Sequence, residues 1–139
     1  MSRKFKILIA DHNLLVRKFL VRELSSPCCE VVQAANHIQL FSKLYTLPPP
    51  DLVILDLDIP YLNGADVLRK LKNTVPDTPV IIFATFSEYS DLPIVRQADG
   101  FVEKNGDVEV LKAHVSRLLA GCYGENTPTL PGPASQQDG

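Results

Sequence analysis

The stretch PDLVILDLDIPYLNG, Pro50 to Gly64, decides how this chain folds. Within it, DLVILD (Asp51 to Asp56) carries an unbroken apolar run, the pattern of a strand covered on both faces rather than wetted on one. The run ends on Asp56, with Asp58 two places on and Pro60 beyond. Asn63-Gly64 then reads as the pivot of a turn. A buried strand that ends on carboxylates ends either at a solvated tip or at a site, and the neighbouring segments choose between the two.

Upstream, KILIAD (Lys6 to Asp11) is a second apolar run ending on an acid. Val16, Phe19, Leu20 and Leu24 then follow helical spacing until the Ser25–Pro27 stop. EVVQAA (Glu30 to Ala35) reads as the next strand, and Asn36 with Gln39 as a capping box opening a helix with Phe41, Leu44 and Tyr45 on its core stripe. Pro48 to Pro50 forbid helix and lead into the central stretch. Downstream, Val67, Leu68 and Leu71 mark a third helix and PVIIFA (Pro79 to Ala84) a fourth strand. A weaker helix over 91–97 follows, with Pro93 in its first turn. GFVEK (Gly100 to Lys104) is the fifth strand, and Asp107 is placed to cap a last helix with the stripe Val108, Leu111, Val115, Leu118 and Leu119.

Five strands alternating with five amphipathic helices predict an α/β domain, a doubly wound, flavodoxin-like parallel sheet in the order 2-1-3-4-5. Ligands of such sheets sit at the carboxyl ends of the strands, beside the switch point between strands one and three. Asp11 and Asp56 end those two strands, so both carboxylates are expected to face one crevice.

The 139 residues suit one domain, with 45% apolar and 22% charged residues. The folded part is expected over 1–120. The Gly-, Pro- and Ser-rich tail over 121–139 reads as a linker, after which the natural chain is expected to continue. A net charge of -2 supplies no basic field for nucleic acid or membrane. No apolar run approaches the ~20 residues of a membrane span, and the N-terminus reads as a strand rather than a secretory leader. Cys28, Cys29 and Cys122 form no CxxC pair, so a reduced, cytoplasmic setting is expected.

Two converging carboxylates with Lys104 at the end of strand five make a chemical arrangement. Asp11, Asp56 and the main-chain carbonyl of Asp58 are oxygen donors suited to Mg2+. Asp56 could attack a phosphoryl group whose charge Lys104 would meet. The order and spacing of KILIAD, PDLVILDLDIPYLNG, PVIIFA and ADGFVEK resemble the receiver domain of two-component response regulators over roughly residues 5–120. The end of the chain, ADGFVEK then LLAGCYG and prolines, is similar to the LuxR/NarL-type subfamily. The resemblance implies Asp56 as phosphoacceptor from a sensor histidine kinase, Asp11, Asp56 and Asp58 as the metal site, and Lys104 as the phosphoryl contact. It further implies Phe101 as the switch aromatic, homodimerisation through the face of helix four, strand five and helix five, and DNA contact only through a separate output domain.

Two positions depart from the family pattern. The acid expected after Asp11 is His12, and imidazole serves Mg2+ poorly and Zn2+ or Mn2+ better. A weak, altered or lost Mg2+ site is the expectation, with His12 itself read as an inert substitution. The hydroxyl residue expected at the end of strand four is Ala84, with Thr85 one place later and therefore on the opposite face. The chain is thus read as an atypical receiver acting on transcription through an output domain. The alternative is a pseudo-receiver that binds partners without phosphate. A D-x-D phosphatase reading of DLD is set aside, because the motif lies on the third strand with Pro60 behind it; no enzymatic activity is expected.

Overall fold

The computed structural model describes residues 4–58, 63–85 and 93–123. The strands are β1 Phe5–Ala10, β2 Cys29–Ala34, β3 Leu52–Leu55, β4 Val80–Ala84 and β5 Gly100–Glu103. They form one parallel sheet in the order β2-β1-β3-β4-β5, as the alternating pattern predicts. The helices are α1 Leu14–Leu24, α2 His37–Lys43, α3 Gly64–Thr74 and α4 Val108–Tyr123, with a 3-10 helix at Pro93–Gln97.

Successive side chains of a strand point to opposite faces, so the sheet builds two cores. Leu8, Val53, Leu55, Ile82 and Ala84 pack with Leu40 of α2 and Val67, Leu68 and Leu71 of α3. Ile7, Ile9, Ile54, Ile81 and Phe83 pack with Leu20 and Leu24 of α1 and Leu111, Val115 and Leu119 of α4. Burial of each large aliphatic side chain contributes about 1.5–3 kcal/mol, the gross driving force for layering helices on both sides.

Caps set where the helices begin. Asn13 Oδ1 accepts the Leu15 and Val16 N–H groups and opens α1. Asn36 Oδ1 accepts the Gln39 N–H, and the Gln39 side chain reaches back to the Ala35 N–H, one residue before the cap. Asn63 caps α3 and Gly64 is that helix's first residue, so the Asn63-Gly64 pair starts a helix rather than forming a free turn. Gly64 is needed for space: a Cβ there would lie 2.0 Å from the Leu57 carbonyl oxygen. Asp107 accepts the Glu109 N–H at 3.0 Å ahead of α4.

Three expectations need correction. Tyr45 is not on the core stripe of α2; the helix ends at Lys43 and Tyr45 is 74% exposed. The fourth helix is a 3-10 turn within the described residues, and most of its N-terminal approach, 86–92, lies outside them. The last helix continues to Tyr123, because the Tyr123 ring packs 5.6 Å from Phe5 and its hydroxyl donates to the Asp51 carbonyl at 2.8 Å. The remainder of the expected tail, 124–139, lies outside the described residues.

Candidate functional site

Asp11 and Asp56 each follow directly on a strand and keep its hydrogen-bond ladder. The Asp11 N–H donates to the Ala34 carbonyl at 3.0 Å, and the Asp56 N–H donates to the Ala10 carbonyl at 2.9 Å. Because β1 and β3 are neighbours, the two carboxylates arrive side by side at the carboxyl edge of the sheet. Lys104 follows β5 in the same way, its N–H donating to the Ala84 carbonyl at 2.8 Å. Its side chain crosses the end of β4 to reach both acids.

Lys104 Nζ lies 2.5 Å from Asp11 Oδ2 and 3.0 Å from Asp56 Oδ2. The acid side chains are almost dry, 2% and 1% exposed, and the lysine is 13% exposed. Burial pushes the Lys104 ammonium downwards, but the hydrogen bonds and charges of Asp11 and Asp56 outweigh it and hold the group above its ordinary 10.5. Two carboxylates against one ammonium leave the pocket with a net negative charge when His12 is neutral.

The second oxygen of each acid is fixed by the backbone that follows it. Asp11 Oδ1 accepts the Asn13 N–H at 2.9 Å, and Asp56 Oδ1 accepts the Asp58 N–H at 2.9 Å. Each is a short side-chain turn that aims the carboxylate back over the strand end. Arg17 Nη1 donates to the Asp11 carbonyl at 2.6 Å while its Nε reaches Gln33 Oε1, pinning the β1–α1 connection. Neither Asn13 nor Arg17 was singled out from the sequence. Asn before an apolar helical run is a capping signal that could have found the first; no local signal marks the second.

Those turns also place His12. Its ring is 43% exposed, with Nδ1 3.4 Å from Asp56 Oδ2 and 3.9 Å from Asp11 Oδ1. Asp11, His12 and Asp56 can each offer a ligand atom within 4.8 Å of the others. The structure therefore brings together Asp11, His12, Asp56 and Lys104, with Asp58 at the rim contributing its N–H. Ala84 is fully buried in the core shared with α2 and α3, while Thr85 is exposed. Phe101 is half-buried and packs against that same core. Residues 59–62, including Pro60, lie outside the described residues.

A negatively charged, dry carboxylate pair with a bridging ammonium can hold a divalent cation, present a carboxylate nucleophile and meet an incoming anion. Comparison with known proteins agrees in kind. The family described as response regulator receiver domain matches residues 7–116. A protein-glutamate methylesterase/protein-glutamine glutaminase of Clostridium acetobutylicum is 28% identical over 139 residues, covering 94% of this chain and 40% of that protein. The probable transcriptional regulator ycf27 of Cyanophora paradoxa is 31% identical over 118 residues, covering 84% of this chain and 48% of that protein. The chain thus spans less than half the length of these two relatives. Among solved structures, the response regulator TrrA of Thermotoga maritima in complex with Mg2+–BeF superposes with a TM-score of 0.76 at 29% identity, covering 83% of this chain and 99% of that one. The same regulator in complex with the histidine kinase ThkA gives a TM-score of 0.75, again at 29% identity, covering 83% and 98%.

Proposed function

The chain belongs to the response regulator receiver domain family, and we propose that it serves as the phosphoacceptor of a two-component pathway, with Asp56 taking a phosphoryl group from a sensor histidine kinase. The observation that carries this reading is the Lys104 ammonium lying on Oδ2 of both Asp11 and Asp56. In the reaction a carboxylate oxygen of Asp56 attacks phosphorus, the P–N bond of a phosphohistidine breaks, and an acyl phosphate forms. Lys104 then meets the new phosphoryl charge, and the Asp58 N–H holds the acyl group in line. Asp11, Asp56 and the carbonyl of Asp58 are oxygen donors for Mg2+, which would supply positive charge against the phosphoryl oxygens.

The complex of TrrA with ThkA supports a kinase as the partner. By the same reading the domain is an atypical LuxR/NarL-type receiver whose last helix runs to Tyr123, with the tail after it as a linker and transcriptional output through a further domain. It is cytoplasmic and does no turnover of its own; among the described residues no helix is long and apolar enough to cross a membrane. Self-association would use the face of the 3-10 helix, β5 and α4. Phe101 packs against the α2–α3 core and would report the site's state to that face.

A second reading rests on Ala84. This buried, hydroxyl-free side chain cannot bond a phosphoryl group, and Thr85 is exposed one place later. Without that bond the domain would act as a phosphate-independent interaction module. Intact mass after incubation with acetyl phosphate, in Mg2+ and in Mn2+, separates the two. A metal-dependent phosphoryl adduct absent from Asp56→Ala is the expected result. A folded protein that takes no adduct would replace the phosphoacceptor reading with the second.

A further inference from the structure

The sequence alone reads His12 as an inert substitution, but its ring enters the carboxylate cluster. We propose that His12 is a metal ligand, and that with Asp11 and Asp56 it makes a mixed nitrogen–oxygen site selective for first-row transition ions such as Co2+ and Zn2+ over Mg2+. The inference rests on the reading of the carboxylate pair as a cation site and states which cation it takes.

The spacing is that of ligands around one ion. Donors each about 2.1 Å from a shared ion lie roughly 3–4 Å from one another. His12 Nδ1 stands 3.4 Å from Asp56 Oδ2 and 3.9 Å from Asp11 Oδ1. Both separations fall in that range, and both exceed a good N–H···O hydrogen bond. The ring is therefore near both acids without being committed to either. Asp11 Oδ1, which faces His12, carries one backbone N–H and keeps a second lone pair. Asp56 Oδ2, the oxygen nearest His12 on the other acid, is shared with the Lys104 ammonium and offers an ion its remaining lone pair.

The donor chemistry decides the ion. Mg2+ demands oxygen ligands and gives up its water reluctantly, so replacing an anionic oxygen with a neutral nitrogen removes both charge and ligand type. Imidazole is a good ligand for zinc, nickel and iron, and the Irving–Williams order favours later ions at any nitrogen-containing site. Because an imidazole nitrogen suits transition ions and Mg2+ prefers oxygen alone, Co2+ outranks Mg2+ at most nitrogen-containing sites, and the absolute ranking is no test. The diagnostic quantity is how the ranking moves when His12 is changed. The ring is 43% exposed, so substitutions there leave the fold intact.

Titration calorimetry of the full chain with Co2+, Zn2+ and Mg2+ measures this in wild type, His12→Ala, His12→Asp and Asp56→Asn. His12→Ala is expected to weaken Co2+ and Zn2+ by at least about tenfold, since loss of even an outer-shell partner costs about 10–100-fold, and to leave Mg2+ unmoved. His12→Asp is expected to tighten Mg2+ and close the gap between the ions. Paramagnetically shifted His12 ring protons in the Co2+ form, lost in His12→Ala, would mark direct ligation. Unchanged Co2+ affinity in His12→Ala, while Asp56→Asn still abolishes binding, would overturn the inference and spare the cation site. Failure of Asp56→Asn to affect any ion would overturn the site reading, and this inference with it.

Discussion

Replacing Lys104 with Met keeps most of the side-chain volume and removes the charge that two dry carboxylates share. Breaking a buried ion pair by deleting one partner costs about 3–5 kcal/mol, because the remaining charge is left uncompensated. Here two charges are left, on side chains 2% and 1% exposed, and the lysine is only 13% exposed, so little of the effect is lost to solvent screening. The expected loss is therefore at least about 3 kcal/mol out of a typical 5–15. With a urea slope of about 1–3 kcal/mol per molar, the unfolding midpoint moves down by about 1–3 M at pH 7. The pH dependence has a definite sign. Burial lowers and the two carboxylates raise the Lys104 pKa, leaving it above the ordinary 10.5. A raised folded value means that the contribution is complete below 10.5 and is lost as pH rises through the folded value. The gap between wild type and variant should hold from pH 7 to pH 9 and narrow above the ordinary lysine value. Lys104→Met/Asp56→Asn, which leaves one buried anion instead of two, should recover a substantial part of the loss. A midpoint shift worth under about 1 kcal/mol at pH 7, the scale of an exposed pair, would refute the account of Lys104 as the counter-charge of a dry site.

Gly64→Ala should cost at least about 3 kcal/mol, the upper end for overpacking, since the new Cβ meets backbone rather than a side chain that can yield; thermal unfolding within about 1 °C of wild type would refute it. Tyr123→Phe removes the donor to the Asp51 carbonyl and should cost about 1 kcal/mol. Hydrogen exchange should localise that loss to the last turn of α4, and protection equal to wild type there would contradict it. Asn36→Ala should cost about 1 kcal/mol through the lost bond to the Gln39 N–H, read from the urea midpoint.

The sheet was legible because its signal is redundant. Each apolar run, such as Ile7 to Ala10 or Val80 to Ala84, is buried on both faces, so no choice of register can expose it. Right-handed crossovers then leave few arrangements of five such strands. The ends of the helices were harder, because local pattern cannot say whether an apolar residue finds a partner. Tyr45 continues the spacing of Phe41 and Leu44, yet α2 has already ended at Lys43 and nothing buries the ring. The 3-10 helix at Pro93–Gln97 is too short to show a helical period at all. Gly64 looked like a turn residue; only the close approach of the Leu57 carbonyl shows that it is there to make room for a helix.

The site divides along the same physical line. Asp11, Asp56 and Lys104 are legible together because each ends a strand of one sheet, and topology alone carries three strand ends to one edge. Their mutual dependence is electrostatic as well as chemical: without Lys104 two buried carboxylates are left uncompensated, and the ammonium in turn needs an acid beside it, so stability alone is a reason to keep the lysine wherever the acids remain. The trio is therefore common ground between a phosphate-accepting receiver and a silent one. What separates those readings lies at its edges. His12 is 43% exposed, and its direction is set by the Asp11–Asn13 turn rather than by any strand. Ala84 has no polar atom to satisfy. Ala84 is a core residue, where a substitution also meets the packing, whereas His12 is little needed for folding and its substitution tests function more sharply. For that reason His12→Asp, which restores an acid without disturbing the core, is a more discriminating variant for phosphorylation than Lys104→Met. If the missing acid limits the chemistry, Mg2+-dependent adduct formation from acetyl phosphate should rise in His12→Asp. An unchanged rate would move the limitation to Ala84.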